Sequence, residues 1–257
     1  MRRRRVLGGL GAVGLSLLVG IGGVGYATFG GLAPIEDGQR VGATVEIARD
    51  GYVSVALLDL GDGHVALIDC GNAGDGAAIL AALARRALGP DDVSAIFLTH
   101  GHPDHVAACG HFPEAQVYAL AAEIPMLEGR TAGRSPITRL VRASPSGVHV
   151  AHPLADGETI TTGNAEVRVY AVPGHTAGSA AYLVDGVLFV GDSASVTSDG
   201  HVIGAPWVFS DDQAQNLVSM RTLGARLASE GQTVTALVAS HTGVLDEGDV
   251  VAALRAL

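Results

Sequence analysis

The sequence predicts a domain of mixed α/β or α+β class, with sheets sandwiched between helical layers. Three observations lead there. Short apolar runs alternate with longer segments of helical character, several runs form hairpin-like pairs, and no Pro/Ser-rich linker or charge run divides residues 41–257. In chain order, strands are expected at Thr44–Ala48, Tyr52–Leu60, His64–Asp69, Ala95–Leu98, Gln116–Leu120, Glu158–Thr161, Val167–Val172, Ala180–Val184, Val187–Val190 and Val234–Ala239. Helices are expected at Gly76–Ala87, Asp104–Cys109, Ala122–Leu127, Asp211–Ser229 and Glu247–Ala256. Ser210 with Gln213 three residues on has capping-box spacing, which makes Ser210 the N-cap candidate of the long helix.

Composition suits a folded enzyme. Of 257 residues, 48% are hydrophobic, and little low-complexity sequence lies beyond the N-terminus. All 16 cationic residues are arginine, so Schiff-base or lysine-activated chemistry is excluded. From Glu36 onward 12 arginines stand against 26 acids, a net charge of −14. Such a domain repels phosphate backbones, which excludes nucleic acid and leaves a small molecule as the expected partner.

Residues 1–35 read as a targeting segment and residues 36–257 as the enzymatic domain. Arg2–Arg5 precede Val6–Gly25, a stretch of 20 residues without a charge. Twenty apolar residues can span a bilayer with the arginines held on the cytoplasmic side. Eight of the 20 are glycine, which weakens a helical anchor, and Gly25-Tyr26-Ala27 offers a small-x-small cleavage site. An uncleaved membrane anchor and a cleaved export signal both remain open. Both place the domain outside the cytoplasm.

The chemistry concentrates in Thr99-His100-Gly101-His102-Pro103-Asp104-His105, directly after the apolar run Val93–Leu98. Pro103 stops the strand from continuing, and strand ends that spill into loops are where α/β proteins carry function. Three imidazoles and a carboxylate suit zinc, iron or manganese, and no ordinary core needs so many polar groups at one strand end. His100 and His102 lie two apart, so in extended backbone they face the same way and can share an ion. Asp104 and His105 begin a short helix and can turn towards a second. His175, Asp192 and His241 also each follow an apolar strand.

His100-x-His102-x-Asp104-His105 resembles the H-x-H-x-D-H signature of the metallo-β-lactamase superfamily. The family's later landmarks follow in order: Pro173-Gly174-His175-Thr176, Val190-Gly191-Asp192-Ser193 and Ser240-His241-Thr242-Gly243. Leu67-Ile68-Asp69-Cys70-Gly71 matches its strand-end Asp-x-Gly, so the similarity runs from about Val41 to the C-terminus. The resemblance implies a four-layer αβ/βα sandwich with metals at one edge between the sheets. It also implies two divalent ions, with zinc expected and iron or manganese as the other fitting metals. One takes His100, His102 and His175, the other takes Asp104, His105 and His241, and Asp192 bridges them. A metal-bridging hydroxide would then attack an ester, thioester, lactone or amide, with Asp104 holding the hydroxide and ferrying a proton.

Other residues carry less. His64, His111, His149, His152 and His201 lack partners at ligand spacing. Nothing in the spacing favours a Cys70–Cys109 disulfide, and Cys70 reads as a small buried filler. Asp69 is either the carboxylate that fixes a ligand histidine's tautomer or a turn residue. Gly129–Ser144, with Arg130, Arg134, Arg139 and Arg142, and Ser193–Ser210, with Trp207 and Phe209, can build a pocket rim. Its arginines either receive an anionic substrate or form a solvated face. Only 16 residues follow His241, short of the helical extension with which glyoxalase II-type thioesterases hold glutathione. Two enzymatic alternatives stay open: an exported β-lactamase, against which Asp192 counts, and an iron oxygenase of the persulfide-dioxygenase kind using His100, His175 and Asp192. A silent membrane-anchored module is the third, and the complete ligand set argues against it.

Overall fold

A computed structural model describes residues 30–257. The targeting segment expected at residues 1–35 therefore lies outside the described residues as far as Phe29. Its last residues dock on the domain: Leu32 bridges to Thr197, and the Ala33 amide donates to the Val196 carbonyl. Among the described residues no helix is long and apolar enough to cross a membrane.

The first sheet takes the strands in chain order: β1 (Arg40–Val41), β2 (Val45–Asp50), β3 (Val53–Gly61), β4 (His64–Ile68), β5 (Val93–Phe97), β6 (Gln116–Leu120) and β7 (His152–Leu154). β1 to β4 pair antiparallel and β4 to β7 parallel. The second sheet uses β8 (Thr159–Thr162), β9 (Ala165–Ala171), β10 (Ala180–Val184) and β11 (Val187–Gly191). A separate hairpin, β12 (Ala194–Val196) and β13 (Val202–Gly204), interrupts it before β14 (Ala236–Ala239) and β15 (Val244–Leu245). β14 runs parallel to β11.

Both faces of these sheets are buried, so β10 and β11 read as continuous apolar runs rather than as alternation. Alternation still sorts side chains between layers. Ala56 and Leu58 enter the core between the sheets, with Phe97, Tyr182 and Phe189, while Val55 and Leu57 face the opposite way. There they meet α1 (Ala77–Arg85) through Ile79 and Leu83. On the far side, Leu188 and Leu237 pack against α4 (Gln213–Ser229) and α5 (Val250–Arg255), through Met220, Leu223 and Leu254. The layers are helix, sheet, sheet, helix, as expected.

Several local expectations need correction. The helix expected at Asp104–Cys109 is a single turn, α2 (Pro103–Val106), followed by a separate 3₁₀ turn at Cys109–His111. Ala122–Leu127 shortens to α3 (Ile124–Leu127). The cap of α4 is Asp212, whose side chain accepts from the Gln215 amide, and Ser210 does a different task described below. Cys70 and Cys109 form a disulfide, their Cα atoms 5.3 Å apart. The fold supplies the proximity that spacing could not: the Cys70 amide donates to the His105 carbonyl, holding α2 against the end of β4.

Candidate metal centre

The parallel pairs bring strand ends to one edge. Asp69 follows β4, Thr99–His105 follow β5, Asp192 follows β11 and His241 follows β14. His175 stands in the turn between β9 and β10. That turn requires Gly174, whose φ is +137° and whose absent Cβ would stand 2.2 Å from the Asn216 amide nitrogen.

All seven sequence-selected residues meet there, in two groups able to hold metal: His100, His102, His175 and Asp192, beside Asp104, His105 and His241. His100 Nε2, His102 Nδ1 and His175 Nε2 lie 3.0–3.2 Å from one another. The Asp192 carboxylate stands between the groups. Its Oδ2 is 3.5 Å from His175 Nε2 and 2.9 Å from His241 Nε2, and its Oδ1 is 3.3 Å from His105 Nε2. Asp104 Oδ2 is 3.5 Å from His241 Nε2. His64, His111, His149, His152 and His201 belong to neither group.

The outer ring nitrogens explain why the inner ones converge as lone pairs. His105 Nδ1 donates to Asp69 Oδ2 at 2.8 Å. His100 Nδ1 donates to Thr99 Oγ1 at 3.1 Å, and that hydroxyl donates on to Asp69 Oδ2 at 2.7 Å. His241 Nδ1 donates to the Tyr52 carbonyl at 3.0 Å, and His175 Nδ1 to Ser210 Oγ at 3.3 Å. Four histidines thus keep their protons outside and point bare Nε2 atoms inward. His105 Nε2 and Asp192 Oδ1 are buried without any hydrogen-bond partner. Buried acceptors that face each other unpaired are costly, and a cation between them removes the cost. The donor set fits divalent metal.

The electrostatics agree. Burial pushes the His175 imidazole down to about 3 and that of His100 well below its ordinary range, so both are neutral. Burial also opposes charge on His105, yet Asp192 and Asp69 together raise it well above the ordinary value. Burial would raise Asp192, but His241 and His105 hold its carboxyl far below the usual range. In the metal-free chain Asp192 is thus ionised against the raised imidazoles of His105 and His241, whose inner protons a divalent cation would displace.

Asp69, which accepts from His105 Nδ1 and from Thr99, is buried at φ +63°, a conformation that Asp tolerates better than most residues. Two residues escaped the sequence reading. Glu123, buried, accepts from the Gly101 amide at 2.7 Å, Thr176 Oγ1 at 2.9 Å and the Gly178 amide at 2.9 Å. It ties the His100–His102 loop to the His175 turn. Its signal was available, since it too lies just beyond an apolar strand, β6. Ser210 links His175 to the Pro206 carbonyl, which it reaches at 2.9 Å.

The chain resembles known proteins in sequence and in fold. The profile of the Metallo-beta-lactamase superfamily matches residues 48–241. A hydroxyacylglutathione hydrolase of Aeromonas hydrophila is 32% identical over 186 residues, 71% of this chain and 59% of that protein. The chain thus spans about three fifths of that relative's length. A subclass B3 metallo-beta-lactamase of Bradyrhizobium japonicum superposes with a TM-score of 0.61 at 19% identity, over 84% of this chain and 81% of that one. A metallo-beta-lactamase family protein of Thermus thermophilus gives 0.57 at 26% identity, over 82% and 76%.

Proposed function

This chain belongs to the metallo-beta-lactamase superfamily of metal-dependent hydrolases, and from that premise we propose a binuclear centre that hydrolyses an acyl bond: ester, thioester, lactone or amide. The carrying observation is the convergence of bare histidine nitrogens around the Asp192 carboxylate. His100, His102 and His175 would hold one divalent ion, and Asp104, His105 and His241 the other, with the Asp192 carboxylate between the two groups within reach of both. Zinc fits this nitrogen-rich set, as do iron and manganese. Divalent ions so held lower the pKa of a water and polarise a substrate carbonyl.

The protein's own groups do the rest. Asp69 holds the ligand tautomers of His100 and His105, directly and through Thr99. Asp192 supplies the charge that keeps two cations close. Asp104, the most solvent-accessible carboxylate of the set, lines the cavity and accepts the proton released as water attacks. An iron oxygenase needs only His100, His175 and Asp192, and leaves the second converging group without a purpose. The disulfide supports an oxidising, extracytoplasmic compartment, in line with the arginine block ahead of an apolar stretch.

The test is metal content of the purified full chain, with activity on ester, thioester, lactone and β-lactam substrates. Close to two ions per chain and metal-dependent hydrolysis are expected. Saturation at one iron with oxygen consumption overturns the proposal.

A further inference from the structure

Resting on the hydrolase reading, we propose that the substrate is an uncharged acyl ester or lactone whose apolar chain lies in the cavity above the histidine cluster. That cavity is about 400 Å³, and Asp104, Asp192 and His241 of the cluster line it. The apolar side chains Ile137, Val141, Pro206 and Phe209 line it as well, together with Tyr52 and Asn72. None of its lining residues is an arginine, and the chain contains no lysine.

The four rim arginines do not alter this. All are exposed; Arg130 pairs with Glu128 and Arg134 with Asp211. Arg142 lines an adjoining cleft of about 160 Å³ that shares His102, Pro103, Thr138 and Val141 with the cavity, but Arg142 does not line the cavity itself. Of the two readings of this stretch, the exposure and acidic partners of its arginines support the solvated face. A carboxylate laid against these walls, away from the metal site, would lose water and gain no arginine or lysine partner. A glutathione thioester, with two carboxylates and an ammonium, fits them poorly.

The lip is apolar as well. Leu140 is 80% exposed, Val141 63% and Trp207 52%, which is unusual for large apolar side chains that nothing covers. The two lip segments are joined, because the Ile137 amide donates to the Val208 carbonyl at 3.2 Å. Within the cavity lining Tyr52 Oη donates to Asn72 Oδ1 at 3.0 Å, which commits the amide oxygen and leaves Nδ2–H to meet a neutral carbonyl. In the reaction, water oxygen bonds to the acyl carbon, the carbon–oxygen bond to the alcohol breaks, and the departing alkoxide takes up the proton.

The experiment compares kcat/KM of the zinc-loaded full chain on matched esters of one alcohol: acyl chains of two to ten carbons, each neutral or ending in a carboxylate. The neutral series should rise about fourfold per methylene until the cavity is filled. Each carboxylate ester should fall at least about tenfold below its neutral partner. Val141→Arg, on an exposed position, should narrow that gap. Hydrolysis with no chain-length trend, or with the carboxylate series preferred, overturns the inference and leaves the hydrolase reading standing. No metal-dependent hydrolysis of any ester, lactone, thioester or amide overturns that reading, and the inference with it.

Discussion

Asp69→Asn separates the role of a single acceptor from that of the backbone around it. Asp69 accepts three hydrogen bonds: from the Thr99 amide at 2.7 Å, from Thr99 Oγ1 at 2.7 Å and from His105 Nδ1 at 2.8 Å. Asparagine has nearly the same volume and also tolerates a φ of +63°, so the variant carries little steric or backbone strain. It nevertheless replaces one acceptor atom by a donor. With its oxygen on the Thr99 amide, the new NH₂ faces His105 Nδ1 and the Thr99 hydroxyl. His105 must then move its proton to Nε2, where the free lone pair is needed. With the amide flipped, two N–H groups collide at Thr99 instead.

Either arrangement leaves a buried donor unpaired, at a cost of about 1–3 kcal/mol in folding stability. Loss of the partner that orients a metal-binding histidine lowers metal affinity about 10–100-fold, or about 1.4–2.8 kcal/mol. Competition with a chromophoric chelator measures that affinity, and thermal unfolding of the metal-free chain measures the stability. The expected result is weakened binding at the His105 position with a folded protein. Unchanged affinity for both ions would show that Asp69 does not set the tautomer.

Asp192→Ala should lower kcat/KM by at least about 10²-fold and loosen both ions. His64→Ala and His201→Ala, outside the cluster, should leave activity and metal content unchanged, and equal losses in all three would refute the bridging role. Reducing Cys70–Cys109, which closes a sequence separation of 39 residues, should cost about 4 kcal/mol by chain entropy; urea midpoints with and without a phosphine reductant test this, and coincident curves refute it. For the metal-free chain, His175 titrates at about 3 and His100 well below its ordinary 6.5, so the unfolded chain binds those protons first. Its stability should therefore fall as pH drops from about 6.5 to 4, by about 1.4 kcal/mol per unit for each such histidine. His105 and His241, whose values are raised, oppose this only above about 6.5, so their stabilisation is complete throughout that window. A flat profile there would show that these imidazoles are not buried neutral.

The candidate site was legible because each of its seven residues breaks an apolar pattern just where a strand or its turn ends. Burial on both sheet faces makes those strands conspicuous, and a charged group beside them then has no structural excuse. Where the pattern is weak, the reading failed. β7 is His152-Pro153-Leu154, three residues with a proline, which suits a sheet edge but looks like a loop. The hairpin β12–β13 is also too short to show a period. Ser210 had capping-box spacing, but Asp212 is the stronger acceptor at the true helix start. The serine was free to bond His175 instead.

Glu123 and the disulfide mark a different limit. Each joins segments that only tertiary structure brings together, and each acts on the site rather than in it. Glu123 spans from the loop after the first sheet's β5 to the turn before the second sheet's β10. Tyr182 of β10 makes a parallel link, its hydroxyl donating to the Leu98 carbonyl at 2.6 Å, one residue before Thr99. The His100–His102 loop and the His175 turn therefore cannot shift independently of the core between the sheets, where Tyr182 meets Phe97 edge-on. Packing that looks remote from the chemistry sets the distance between the His100–His102 loop and His175. Three imidazole nitrogens within 3.2 Å of one another need that distance held tightly.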